Sequence, residues 1–233
     1  MLDALRSNLH GVRQRIADAC SRTGRAPDEV TLVAVTKTVG IEVIRALPGF
    51  GVTDIGENRV QAARDKQAAL GGRLGLRWHM IGHLQTNKVR HALPVFDSMD
   101  ALDSLHLAEE IERRAAREGE APPEPLPVLI ECNVSGEASK FGVLPTDLPE
   151  LLDAVRTLPH IQVEGLMTMA PFGEGSEATR PVFAALRELA AQARTRTCLA
   201  LPHLSMGMTQ DFEVAIEEGA TMVRIGTALF HCL

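Results

Sequence analysis

The chain has 233 residues, 45% of them hydrophobic and 23% charged, with a formal net charge of -6. Such a length suits one α/β barrel or two small domains, and the composition is that of a folded globular protein rather than a disordered one. Lys and Arg are scattered with no block of like charge, so neither a nucleic acid nor an anionic membrane is expected as partner.

The opening stretch, MLDALRSNLHGVRQRI, is charged and amphipathic, unlike a signal peptide, and predicts a helix over roughly 1–23. Short apolar, β-branched runs then alternate with helical spacing. The strand candidates are 32–37, 52–57, 76–82, 95–100, 127–134, 162–169, 202–208 and 221–226. Helical patterns fall at 58–70, 101–118, 147–157, 177–196 and 209–218. Strands alternating with helices imply a parallel sheet with right-handed crossovers, and eight such units predict a closed (β/α)8 barrel preceded by an extra helix. No G-x-G-x-x-G follows the first strand, which weakens the dinucleotide-binding alternative. The most linker-like stretch, GEAPPEPLP at 119–127, would leave four strands on each side, so it reads as a loop within a single domain spanning 1–233. No apolar run reaches transmembrane length. The four cysteines, Cys20, Cys132, Cys198 and Cys232, form no C-x-x-C pair, so reduced thiols in a cytoplasmic protein are expected, without a metal site.

A barrel puts its ligand groups at the C-terminal strand ends, with phosphate often held after strands seven and eight. Lys37 ends the first strand. A lysine drawn into a barrel rim is desolvated, which favours the neutral amine that attacks aldehydes; an ion-paired or snorkelling lysine is the alternative. Asn58 follows strand two and could meet a ligand or cap a helix. His79 and His83 stand four apart, but on a strand rather than a helix, so a metal pair is not expected. Asn133, Ser135, Glu137 and Lys140 fall after strand five, with Lys140 either a second amine near the mouth or merely solvated. In the loop after strand seven, Ser205 supplies a hydroxyl, Gly207 permits close backbone approach, and Thr209 or Asp211 could cap the next helix. Gly226 and Thr227 offer a second glycine-plus-hydroxyl turn, and the two turns together suggest a phosphate cup. Arg224, inside an apolar strand, needs a partner: a ligand ring nitrogen, a carboxylate, or a structural ion pair.

The stretches VAVTKT, GENRVQ, WHMIGHLQTNK, ECNVSGEASKFG, GLMTMAP and LSMGMTQDFEVAIEEGATMVRIGTALF resemble the pyridoxal phosphate homeostasis protein family, related to the N-terminal barrel of alanine racemase. They run from the first strand to the last residues, and LSMGMT with VRIGT at this separation is the most specific pair. The resemblance implies pyridoxal 5'-phosphate (PLP) as cofactor, with Lys37 as its Schiff-base lysine. It further implies that Ser205, Gly207, Gly226 and Thr227 surround the phosphate, that Arg224 faces the pyridine nitrogen, that Asn58 lies near the ring, and that Met206 and Met208 form pocket wall. Three places depart from the family pattern: Val39 where a second lysine is frequent, Arg59 where tyrosine is common, and the ending FHCL.

A permanently charged arginine at the ring nitrogen disfavours a protonated pyridine and weakens the cofactor as an electron sink. Alanine racemase-like enzymes add a tyrosine from a second domain, whereas this sequence has no tyrosine. The expectation is therefore a PLP-holding protein of intracellular PLP homeostasis that buffers or delivers the cofactor, rather than an enzyme. Its partners would be PLP and apo PLP-dependent enzymes, and the chain would be monomeric. The alternatives are a racemase using His79, His83 or Lys140 as second base, and a Schiff-base aldolase acting on sugar phosphates.

Overall fold

The structure, a computed structural model, describes residues 1–117, 124–137, 140–171 and 175–233. The chain opens with α1 (Leu2–Arg22), and then β1 (Thr31–Val35), α2 (Ile41–Ala46), β2 (Asp54–Glu57), α3 (Val60–Leu70), β3 (Arg77–Met80), α4 (Val89–Ala92) and β4 (Ser98–Leu102) follow. It continues through α5 (Leu105–Ala115), β5 (Leu126–Glu131), α6 (Leu148–Val155), β6 (Ile161–Met167), α7 (Arg180–Thr197), β7 (His203–Ser205), α8 (Phe212–Glu217), β8 (Met222–Ile225) and α9 (Thr227–Phe230). The eight strands pair in parallel in sequence order, and β1 closes on β8. This is the expected (β/α)8 barrel with its extra N-terminal helix. Part of the linker-like stretch, 119–123, lies outside the described residues, while β4 and β5 on its two sides pair directly.

Strand alternation sorts the side chains. On β1, Leu32 and Ala34 pack outward against the helices, in the main core, while Val33 packs inside the barrel with Ala101, Leu129, Met167 and Met222. The inward face of β1 therefore reads Thr31, Val33, Val35 and, beyond the strand, Lys37. That of β8 reads Met222, Arg224 and Gly226. The register sets Val33 beside Arg224. One strand sits later than its pattern suggests: β4 spans Ser98–Leu102 rather than 95–100, because Val95 and Phe96 are buried from a turn after α4.

The first helix braces the closing seam. Leu5, Leu9, Val12, Ile16, Ala19 and Cys20 recur at helical spacing and are buried. Each Leu, Val or Ile taken from water contributes about 1.5–3 kcal/mol before entropy is counted. Polar latches then fix where the helix sits. Asn8 Nδ2 donates to the carbonyls of Leu229 (3.0 Å) and His231 (3.1 Å), and Arg15 forks onto Glu213. Arg25 Nη1 donates to the Ile216 and Ala220 carbonyls.

At the bottom of the barrel, apolar packing gives way to charge. His79 lies buried on the inward face of β3, its Nδ1 2.9 Å from Asp100 Oδ2 and its Nε2 2.9 Å from Asp54 Oδ1. Burial alone would lower its pKa, but the two carboxylates outweigh that and raise it from 6.5 to about 9. The raised value means that His79 supports the fold fully below pH 6.5 and that this support is lost as pH rises through about 9. The wild-type urea midpoint should accordingly fall across that window, by the equivalent of about 3 kcal/mol. His79→Gln should start lower and show a flatter profile; an equal slope in both proteins would contradict a charged His79.

Candidate functional site

At the C-terminal mouth, the inward faces of β1 and β8 open into a cavity of about 440 Å³ whose wall includes Val35, Lys37, Thr209, Arg224, Gly226 and Thr227. Residues from both ends of the sequence thus meet at one place, as closure requires. Lys37 lies past the end of β1 in a turn, and it is exposed on the cavity wall rather than buried as its strand-like context suggested. Among the described residues, its amine has no hydrogen-bond or ion-pair partner. Position, not desolvation, is what singles it out.

The turn carrying Lys37 is pinned from beneath. Thr36 is buried; its N–H donates to the Gly56 carbonyl (3.0 Å) and its Oγ1 to Glu57 Oε1 (2.6 Å). Lys66, reaching across from α3, donates to both the Thr36 carbonyl and Glu57 Oε1, each at 2.6 Å. Glu57 Oε2 is buried without a partner among the described residues. This cluster escaped the sequence reading. Its only signal was an acid closing an apolar strand, with a lysine nine positions on.

The two predicted turns come together on the opposite limb of the seam. Gly207 has φ +92°, and a Cβ there would stand 2.6 Å from Ala215 Cβ and 2.8 Å from Phe212 Cα. Its glycine is required by the packing of α8. Asp211 Oδ1 accepts from the Met208 N–H (2.6 Å) and shapes the loop, while Thr209 Oγ1 accepts from the Ala228 N–H (3.2 Å), tying the loop to the start of α9. The N–H groups of Thr209 and Thr227 have no partner among the described residues, so the wall offers donors to an anion. Sequence reasoning offered Thr209 only as a possible cap.

Four residues expected at the cofactor are not on this wall, and Gly207, packed against α8, is the first of them. Ser205 is fully buried one layer down, its hydroxyl accepting from Arg224 Nη1 at 2.7 Å. Met206 is buried in the core between strands and helices. Asn58 is exposed on a neighbouring cleft against Gly82. Met208, by contrast, lines the cavity.

Arg224 forms the charged part of the wall. Its Nη2 donates to the Thr168 carbonyl at 2.9 Å, and with Ser205 this fixes the guanidinium plane. Burial pulls its pKa below the usual arginine range, against the fields of Asp100, Glu131 and Asp211. Burial also pushes the Glu131 carboxyl up to about 7, with Asp103 adding to the shift and Arg224 and His83 opposing it. Glu131 too was missed, because a carboxylate ending an apolar strand gives no pattern of its own.

The other titratable candidates are committed away from the cavity. His79 sits between Asp54 and Asp100, whereas His83 pairs with Asp103 (2.6 Å) and stacks on Phe141. Lys140 is not a free amine: its Nζ lies 2.7 Å from Glu137 Oε1 and 3.3 Å from the Met169 carbonyl. Asn133 folds that same loop, donating to the Glu137 carbonyl and accepting from the Gly136 N–H. No helix among the described residues is long and apolar enough to cross a membrane.

Comparison with known proteins agrees with this architecture. The family model described as the alanine racemase N-terminal domain matches residues 1–233. The pyridoxal phosphate homeostasis protein of Aquifex aeolicus is 48% identical over 222 residues, covering 95% of each chain. A crystal structure of a protein from Bifidobacterium adolescentis superposes with a TM-score of 0.89 at 36% identity, over 98% of this chain and 95% of that one. PipY of Synechococcus elongatus, solved with PLP bound, superposes with a TM-score of 0.80 at 37% identity, over 92% of this chain and 99% of its own. The chain belongs to the alanine racemase N-terminal domain family and, within it, to the pyridoxal phosphate homeostasis proteins.

Proposed function

We propose that this protein holds PLP on Lys37 at the barrel mouth and handles the cofactor in PLP homeostasis, buffering or delivering it, rather than catalysing with it. The observation that carries the reading is a lysine amine with no partner among the described residues, on the same cavity wall as similarly open backbone donors and a fixed arginine. Those groups fit the cofactor's parts: an amine for its aldehyde, N–H donors for its phosphate, and a cation for its ring nitrogen. PLP, when bound, supplies the reactive aldehyde and the conjugated ring.

Lys37 Nζ is the attachment point, and the Thr36–Glu57–Lys66 cluster holds its turn in place. The Thr209 and Thr227 turns, tied together through the Ala228 N–H, receive the phosphate. Arg224 presents a permanent positive charge to the ring, which keeps the ring nitrogen unprotonated. Ser205 then acts through Arg224 rather than on the phosphate, Gly207 holds the loop's shape, Met208 contributes wall, and Asn58 and Met206 support the site from outside the cavity.

The carrier reading gains support from the fate of the acid–base candidates. His79, His83 and Lys140, the groups that a racemase would recruit, are each paired elsewhere. Among the described residues, the titratable wall groups with no permanent charge besides Lys37 are Asp211, tied to the Met208 N–H, and His231. We take the protein to be a cytoplasmic, monomeric single domain over 1–233 that passes PLP to apo PLP-dependent enzymes.

The purified protein should be yellow, and borohydride should fix the cofactor to the peptide containing Lys37; a label on any other lysine removes the assignment. Lys37→Ala should lose the visible absorbance, and its stability should lie within about 0.5 kcal/mol of the cofactor-free wild type, since it removes an exposed side chain with no partner among the described residues. Incubation with single amino-acid enantiomers, followed by chiral chromatography, should show no inversion. Inversion abolished by His231→Ala would replace the carrier with an enzyme. Arg224→Gln, which keeps hydrogen-bonding capacity but no charge, should alter the spectrum of the bound cofactor through protonation of its ring; an unchanged spectrum in a folded, loaded variant would place the arginine elsewhere.

A further inference from the structure

A second cavity, also about 440 Å³, opens beside the mouth, between the start of α3 and the segment from β3 into α4. Among the described residues its wall carries Arg59, Arg64, Lys88 and His91 and contains no Asp or Glu, in a chain whose net charge is -6. Elsewhere the exposed arginines are largely neutralised: Arg15 by Glu213, Arg22 by Glu217, and Arg180 by Glu177, Glu217 and Glu218. Arg59, Arg64 and Lys88 have no carboxylate partner and no hydrogen bond among the described residues. Among the described residues two carboxylates touch wall residues from outside the cavity: Asp65 accepts from Gln61 (2.8 Å) and Asp103 pairs with His83 (2.6 Å).

Cations gathered on one concave wall repel each other, and field lines focused in a cleft draw in an anion. The start of α3 strengthens that field. This helix has 11 residues, and its N-cap, Arg59, makes no side-chain cap bond, so its first N–H groups are left for another partner. Met80 and Leu84 supply an apolar floor, and the amides of Asn58 and Gln85 complete the rim. The volume falls in the range of small-molecule sites. Two guanidinium forks, an ammonium and a helix start exceed what a single carboxylate can use, but they match the three oxygens and near-double charge of a phosphate monoester.

We propose that this cleft is a second, non-covalent site for a phosphorylated small molecule, separate from the Lys37 cavity and independent of what that cavity binds. Titrating the full-length protein with inorganic phosphate and, separately, with phenyl phosphate, while following amide chemical shifts, tests it residue by residue. Saturable shifts at Val60, Gln61, Arg64 and Lys88 are expected for both. Tighter binding of phenyl phosphate points to an organic phosphate using the Met80–Leu84 floor, and equal binding points to free phosphate. Arg64→Glu with Lys88→Glu replaces two exposed, unpaired side chains. The pair should weaken binding at least about tenfold, the worth of one charge-assisted hydrogen bond or more, with the melting temperature unchanged. The proposal is overturned if no shifts occur, if they are confined to residues 208–209 and 226–227, if the double variant binds equally well, or if acetate and succinate match phosphate.

Discussion

The pairing of β1 with β8 is the constraint on which the mouth depends. Parallel register puts Val33 beside Arg224, and strand alternation then carries both inward faces upward, to Lys37 on one limb and Gly226 on the other. Slipping β8 by one residue would turn Arg224 into the apolar layer under the helices, where Val223 and Ile225 now pack. The same slip of β1 would turn Lys37 off the inward face. Fold and site are one register problem here, which is why α1 is latched to α8 and α9 rather than to the far side of the barrel.

Inside the barrel, charge is handled by layers. The bottom holds Asp54, His79, Ser98 and Asp100; apolar residues from β1, β5, β6 and β8 fill beside and above them; and Arg224 and Glu131 approach the mouth. A buried guanidinium without compensation would cost several kcal/mol. Arg224 is compensated by two direct hydrogen bonds and by the longer-range fields of Asp100, Glu131 and Asp211. The barrel floor therefore helps keep the arginine charged at the mouth, although His79 itself never reaches the cavity.

Much of this was legible in the sequence, for identifiable reasons. Eight apolar runs separated by helical spacing specify a closed parallel barrel, and barrel geometry alone sends Lys37 and the Thr227 turn to one mouth. What stayed hidden depends on direction and depth rather than spacing. Ser205 and Met206 are neighbours on β7 and just beyond it, and alternation sends one under Arg224 and the other into the outer core. The Glu57–Lys66 pair joins a strand end to the second turn of a helix, a contact that no local pattern encodes. The strand at β4 was misplaced because buried Val95 and Phe96 look like strand residues, while buried Asp100 looks like a strand end.

A protein that holds a cofactor in order to release it, as proposed for this one, has opposing requirements, and the two sides of the cavity would divide them. Arg224, Ser205 and Thr168 are buried and mutually bonded, so that part of the wall is preorganised and costs little to order on binding. Lys37 is exposed on a short turn, reachable by water or by an incoming amine, and the turn is held through its neighbour Thr36. An enzyme gains by closing water out of its active site. In the proposed reading this chain gains by leaving that bond accessible, because a covalent link that water and other amines can reach is one that can be exchanged.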